Sequence, residues 1–241
     1  MGRVFANCLD AIKEIDRELK VSGITVDINH YQNKKLEGEE RLTKELVGVS
    51  FTISKPLEKL SDMLQFLFKD ESKRIEKYCE QEFLDRTSST PQNPGNSYLI
   101  RSDMWQKFMV NNKFDYTYSE RMYDKIPQII ETLKEDKHSR QALLQIFHPE
   151  DLTKTGGQTR IPCSVDYQFL IRNNRLHLIY HMRSNDYFGH HAIDIYLAAR
   201  LMQFISKELS VYYPGIKTGA LTFFCGSLHA YSWDLDKWVI F

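Results

Sequence analysis

Residues 161–186 read IPCSVDYQFLIRNNRLHLIYHMRSND, and the pairing of this stretch decides the fold class. Asn173 and Asn174 tolerate positive φ and divide two alternating runs, the pattern of a two-residue β-hairpin loop. Arg172 then pairs with Arg175. Carried outward without a bulge, that register sets Cys163 opposite Ser184 and Ser164 opposite Arg183. Opposed residues hold their Cβ atoms only ~4.5–5.5 Å apart. The thiol is expected beside a hydroxyl and one step from a guanidinium, and a cationic neighbour favours thiolate over thiol. The alternative for a cysteine closing a strand is a small buried hydrophobe, and for Arg183 a surface ion-pair partner.

The chain around the hairpin has 241 residues, 42% hydrophobic and 27% charged, enough to bury a core in one large domain spanning residues 1–241. Its 32 basic and 32 acidic side chains cancel, so no net field draws it to nucleic acid or an anionic membrane. Cysteines at 8, 79, 163 and 225 fit no CxxC or Cys/His metal pattern. No signal peptide is evident, and no apolar run approaches the roughly 20 residues that span a bilayer. A reducing cytoplasm and four free thiols are therefore expected.

Upstream, Phe5, Cys8, Ile12 and Ile15 share one face at helical spacing, which predicts an amphipathic opening helix. Residues 30–45 are almost wholly polar and read as an exposed loop or flap, followed by a β-branched strand, ELVGVSFTI. Helical patterning returns over 56–84. The run RTSSTPQNPGNS (86–97) reads as a loop within the domain, not a linker. A helix broken or begun near Pro127 and a buried strand ALLQIF (142–147) lead to the hairpin. A long apolar helix over about 190–209 and the strand GALTFFCG close the pattern. The class is α/β or α+β with a substantial sheet.

Asp194 is the anomaly in that last helix, because the apolar stripe through Leu197, Ala198, Leu201 and Ile205 runs back onto it. A carboxylate on such a face costs roughly several kcal/mol unless satisfied. It is either an N-cap or a buried acceptor for a ligand's donors. His190-His191 has no second ligand pair and reads as solvated or core histidine rather than metal site.

These residues together resemble the thymidylate synthase superfamily: Pro162-Cys163, Gln168 within YQF, and Arg183-Ser184-Asn185-Asp186. GSLHAYS (226–232) is similar to the family's G-x-x-H-x-Y segment, and HSRQALL (138–144) to its paired-arginine strand. The resemblance covers roughly residues 100–232 and implies a single α/β domain, a large twisted mixed sheet with flanking helices, packed against its copy in a homodimer. By the same resemblance Cys163 is the nucleophile that adds to C6 of a pyrimidine nucleotide. Arg183 and Ser184 hold its 5′-phosphate, with Arg140 reaching across from the partner, and Gln168 also serves the substrate. His229 and Tyr231 take the sugar, Asp186 holds the folate pterin, and Trp105 packs nearby. Glu80, in CEQEFL, best matches the catalytic glutamate, with Glu76 and Glu82 as alternatives.

Asp194 stands where thymidylate synthases carry an asparagine that reads the uracil edge. A carboxylate accepts from the cytosine 4-amino group and, with a shared proton, also supplies N3. Asp194, the RSND spelling and Ser164 after the nucleophile are closest to the deoxycytidylate and cytidylate 5-hydroxymethylases. Gln141, where the family has a second arginine, departs from the phosphate clamp. The resemblance implies 5,10-methylenetetrahydrofolate as one-carbon donor and water as the final nucleophile at the C5 methylene, with no metal required. The alternatives are methylation of cytidylate or uridylate on the same scaffold, or a nucleotide-binding homologue without turnover.

Overall fold

A computed structural model describes residues 2–31, 34–154 and 160–238. Nine strands occur among these residues: β1 (Arg3–Phe5), β2 (Ile24–Asp27), β3 (His30–Tyr31), β4 (Lys34–Lys35), β5 (Leu42–Ile53), β6 (Leu143–Gln145), β7 (Ser164–Arg172), β8 (Arg175–Asp186) and β9 (Lys217–Tyr231). Seven α-helices accompany them: α1 (Cys8–Ser22), α2 (Leu60–Phe68), α3 (Ser72–Arg86), α4 (Ser102–Trp105), α5 (Tyr118–Met122), α6 (Lys125–Glu135) and α7 (Ala192–Leu209). The main sheet runs β1-β5-β9-β8-β7-β6, with β2 also on β5. The β1/β5 and β8/β9 pairs are parallel and the others antiparallel, so the expected mixed sheet is present.

The hairpin forms as β7 and β8, with Arg172 opposite Arg175 and φ of 49° and 54° at Asn173 and Asn174. Its register does not run to the end. A bulge between Ser164 and Asp166 sets Ser164 opposite Met182, and the Val165 carbonyl accepts from both Ile146 and Phe147. Cys163 therefore meets Arg183, whose backbone N–H donates to the Cys163 carbonyl at 2.9 Å, rather than Ser184. An extra residue bends its strand and re-aims the neighbouring side chains, here the thiol.

Inward residues of the central strands, among them Phe51, Tyr167, Tyr180 and Phe223, are buried beneath α7, whose Ile193, Ile195, Met202 and Ile205 are buried as well. The other sheet face carries Gln168, Ile179 and His181, with Leu143 49% and Phe224 43% exposed. Helices thus cover one face and leave apolar groups open on the other.

Local departures have local reasons. Phe5 belongs to β1, because Asn7 caps α1 by accepting from the Asp10 N–H at 3.0 Å, so the helix cannot begin earlier. The polar stretch at 30–45, of which 32 and 33 lie outside the described residues, carries β3, β4, a 3₁₀ turn (Gly38–Arg41) and the start of β5 rather than one open loop. A single π-helical turn (Tyr187–His191) precedes α7, and the last strand continues to Tyr231. The 86–97 loop is tied down: Ser97 N–H donates to Asp85 at 2.8 Å and Asn93 Nδ2 to the Phe114 carbonyl at 2.9 Å. No helix among the described residues is long and apolar enough to cross a membrane.

Candidate active site

The C-terminal ends of β8 and β9, the start of α7, one face of α3 and the segment before β7 converge on a cavity of about 430 Å³. That volume is in the range of small-molecule sites. Cys163, Arg183, Ser184, Asp186, Asp194, His229, Tyr231 and Trp105 all line it. Residues more than a hundred positions apart in sequence are thereby brought to one surface.

Cys163 is half-buried at the bulge, with Sγ 3.7 Å from Ser184 Oγ and 4.0 Å from Arg183 Nη2. The side-chain neighbourhood expected from an unbroken hairpin is thus retained through a different backbone register. The other three thiols are buried; burial pushes Cys8 up to about 12 and raises Cys79 and Cys225 as well. Arg183 donates Nε to the Pro162 carbonyl (2.8 Å), Nη2 to that of Ile161 (3.2 Å) and Nη1 to Ser184 Oγ (3.1 Å). These neutral acceptors fix the guanidinium without neutralising it, which suits an anion at the cavity mouth.

At the inner end, Asp194 is buried in the first turn of α7, and burial raises its carboxyl above the ordinary value. Among the described residues it accepts from no backbone N–H; its Oδ2 accepts from Asn185 Nδ2 at 2.7 Å. Glu82 lies beside it, accepting from Arg86 Nε at 2.7 Å and Ser97 Oγ at 2.6 Å. The Arg86 guanidinium also lies 4.1 Å from the Tyr118 ring. Ser164 is buried under the thiol, joined to Tyr180 at 2.6 Å and Tyr118 at 3.0 Å through hydroxyls.

Glu80 is not in the cavity. It accepts from Arg200 at 2.8 Å on both oxygens and from Tyr196 at 2.7 Å, on the outer side of α3 and α7, and Arg200 holds its carboxyl below the ordinary value. Two residues along a helix turn by ~200°, so Glu80 and Glu82 face opposite ways. Glu76 is bound by Ser61 at 2.6 Å and also stands outside. Gln168 faces the open side of the sheet, donating to the Arg140 carbonyl at 3.0 Å, and neither residue lines the cavity of its own chain.

On the opposite wall His229 bridges Ser227 and Tyr231 at 3.2 Å each, and burial lowers its basicity. Tyr231 stacks on Trp233 with centroids 4.4 Å apart. Burial pushes the Asp186 carboxyl up, but the His190 side chain, His229 and the Gly189 N–H together hold it below the ordinary value. Its Oδ1 accepts from Gly189 N–H at 3.0 Å; a Cβ on Gly189 would meet Oδ2 at 2.3 Å, so this approach requires glycine. Trp105 Nε1 and His190 Nε2 are buried without partners among the described residues, and the two rings lie 5.3 Å apart. A half-buried carboxylate beside an aromatic face with unspent ring nitrogens fits a flat heteroaromatic such as a pterin. Among the described residues no group of three His, Cys, Asp or Glu could hold a metal ion.

The sequence profile named thymidylate synthase matches residues 60–239. The chain belongs to the thymidylate synthase family. That family comprises folate-dependent one-carbon transferases. A protein named "Putative thymidylate synthase" from Methanosarcina mazei is 30% identical over 129 residues, 51% of this chain and 56% of that protein. One of the same name from Methanocaldococcus jannaschii is 32% identical over 123 residues, 49% of this chain and 52% of that protein. The chain spans about half the length of these curated relatives. Thermostable thymidylate synthase A from Bacillus subtilis superposes with a TM-score of 0.65 at 15% identity, over 96% of this chain and 82% of that one, which is a likeness of fold.

Arg86, Tyr118, Arg160 and Tyr31 also line the cavity and were not singled out by pattern. Arg86 is four residues after Glu82, the i,i+4 spacing of a helical ion pair, and that spacing is the signal for it.

Proposed function

We propose that this chain, as one catalytic domain over residues 1–241, is a cytidylate 5-hydroxymethyltransferase. The observation that carries the reading is that Cys163 and Asp194 line one cavity, a thiol beside a guanidinium at one end and a buried acid at the other. An acid whose burial favours the protonated form can both accept from the cytosine 4-amino group and share a proton with N3. Uracil offers the opposite pattern at both atoms.

In this reading the 5′-phosphate sits against Arg183 and Ser184, and the sugar against His229 and Tyr231. Cys163 adds to C6 as the thiolate, which makes C5 nucleophilic. 5,10-Methylenetetrahydrofolate, held by Asp186 with its ring against Trp105, supplies a one-carbon unit at the oxidation level of formaldehyde. C5 bonds to it and loses its proton, tetrahydrofolate leaves, and once water has added to the methylene the C6–S bond breaks and returns the thiolate. Glu82, fixed by Arg86 and Ser97, takes the place first expected for Glu80 and moves the proton of the water that completes the hydroxymethyl group. A second copy covers the open sheet face with Leu143 and Phe224 and brings Arg140 to its partner's phosphate site. The cytoplasm, which keeps the thiol reduced, is the compartment for this chemistry.

Incubation of the protein with dCMP, CMP or dUMP and methylenetetrahydrofolate tests the reading by product mass. A hydroxymethyl product from a cytidylate is expected. Dihydrofolate with a methylated product would replace it by methylation on the same scaffold, and C5–H exchange from dUMP alone would overturn the base assignment.

A further inference from the structure

Asn185 joins two buried groups that are six and nine residues ahead of it in sequence: Oδ1 meets His191 Nδ1 at 2.7 Å, and Nδ2 meets Asp194 Oδ2 at 2.7 Å. All three side chains are at least nine-tenths buried, and Asn185 and Asp194 both line the cavity. We infer that Asn185 is a positioning residue that fixes which oxygen of Asp194 can carry a proton, and thereby which pyrimidine edge the cavity accepts. This rests on the reading of Asp194 as the base-recognising acid.

The polarity of the chain is set at its far end. The His191 ring lies within about 5–6 Å of the Phe51, Tyr187 and Phe223 rings, and its Nε2 is buried without a partner among the described residues. An orphaned buried N–H costs more than an orphaned lone pair, since a donor has one bond to make and cannot share it. The proton of the neutral ring therefore belongs on Nδ1, where Asn185 Oδ1 accepts it. Burial, which lowers this imidazole to about 3, keeps the ring neutral. With its carbonyl oxygen committed to His191, Asn185 has only its amide N–H to offer Asp194, and Oδ2 can receive it only as an acceptor.

The proton on Asp194 is thus confined to Oδ1, the oxygen without a partner among the described residues. Cytosine fits this arrangement: N3 takes the Oδ1 proton, and the 4-amino group donates to the remaining lone pair of Oδ2. Uracil would set N3–H against the Oδ1 proton and O4 against the Oδ2 lone pair. Without Asn185 the acid could carry its proton on either oxygen and rotate, and this discrimination would weaken.

Replacing Asn185 by leucine keeps the branching of its side chain and removes its hydrogen bonds to His191, Asp194 and Met182 Sδ. Calorimetry with dCMP and dUMP should show wild type favouring dCMP. Asn185→Leu should lose ~10-fold or more of its dCMP affinity, the worth of a hydrogen bond to a charged or acid group, while dUMP binding changes far less. Equal losses for both nucleotides, or no loss for either, would overturn the inference. Wild type favouring dUMP would instead overturn the function proposed above. A measurement on wild type stands apart from folding of the variant: the ¹⁵N resonance of N3 in bound, labelled dCMP should move upfield as it takes a proton, and an unmoved resonance would also overturn the assignment.

Discussion

Glu82 and Arg86 form an ion pair at 2.7 Å, one turn apart on α3, with side chains only 16% and 8% exposed. Removing one partner of a buried pair costs ~3–5 kcal/mol because the other charge is stranded. Arg86→Met should therefore destabilise the protein by about that much. Glu82→Gln keeps an acceptor for Arg86 and should fold, yet lose product formation by ~10²–10⁴-fold, the usual loss when a proton-transfer group is removed. Glu80 pairs with Arg200 where the side chains are 41% and 27% exposed. Glu80→Gln should cost ~1 kcal/mol or less and leave turnover near the wild-type rate. Single-turnover kinetics and urea denaturation read both; the reverse ranking would return the catalytic role to Glu80.

Thiol chemistry separates Cys163 from the other three. Cys8, Cys79 and Cys225 are buried with their thiols pushed up, whereas Cys163 opens to the cavity beside Arg183. Iodoacetamide at neutral pH should modify native protein once, at Cys163, and a bound nucleotide monophosphate should slow that reaction. Peptide mass mapping reads the site. Modification spread over several cysteines, or no protection, would contradict the assignment.

Legibility in the sequence depends on spacing that survives folding. The Asn173-Asn174 turn and period-2 alternation give the hairpin, and the polar intruder on an apolar helical stripe gives Asp194. The same alternation, applied one step further, puts Gln168 between inward Tyr167 and Phe169 and so on the outer face. The bulge at Val165 has no glycine or proline to announce it, and only the ladder reveals it. Glu80 and Glu82 sit two apart in one run, where composition cannot tell the faces but the helix can. The His191–Asn185–Asp194 chain crosses from strand to π-turn to helix, and no single periodicity spans that change.

His191 makes folding depend on acidity in a predictable sense. Its ordinary value of 6.5 falls to about 3 on folding because burial disfavours the charged ring. As pH drops through 6.5 the unfolded chain takes a proton that the folded one refuses, so stability declines down to about pH 3. Between pH 7 and 5 this single group should cost about 2 kcal/mol. His191→Phe removes it, so the fall in unfolding free energy between about pH 7 and 5, measured in urea, should be smaller by about 2 kcal/mol in the variant. Equal pH slopes would mean that the ring gains its proton in the folded state.

Asp194→Asn separates reading the base from supplying it with a proton. Burial raises the Asp194 carboxyl, so its stabilising contribution is complete below the unfolded value of 3.8 and is lost as pH rises through the raised folded value. At neutral pH an uncharged amide avoids that loss, and the variant should be at least as stable as wild type, with the advantage vanishing toward pH 3.8. Asn185 Nδ2 still needs an acceptor, so the new amide turns its oxygen to the place of Oδ2 and its NH₂ to the place of Oδ1. That pair still donates to cytosine N3 and accepts from the 4-amino group, and dCMP should remain the better-bound nucleotide in calorimetry. An amide cannot release its proton to N3, however, so the ring gains no charge to draw the thiolate onto C6. C5–H exchange from dCMP should therefore fall by ~10²-fold or more while binding changes little, the split expected when a proton donor is lost but its hydrogen bond is kept. Exchange as fast as wild type would remove Asp194 from the chemistry. A switch of binding preference to dUMP would show the amides of both residues turned over, against the polarity that His191 imposes.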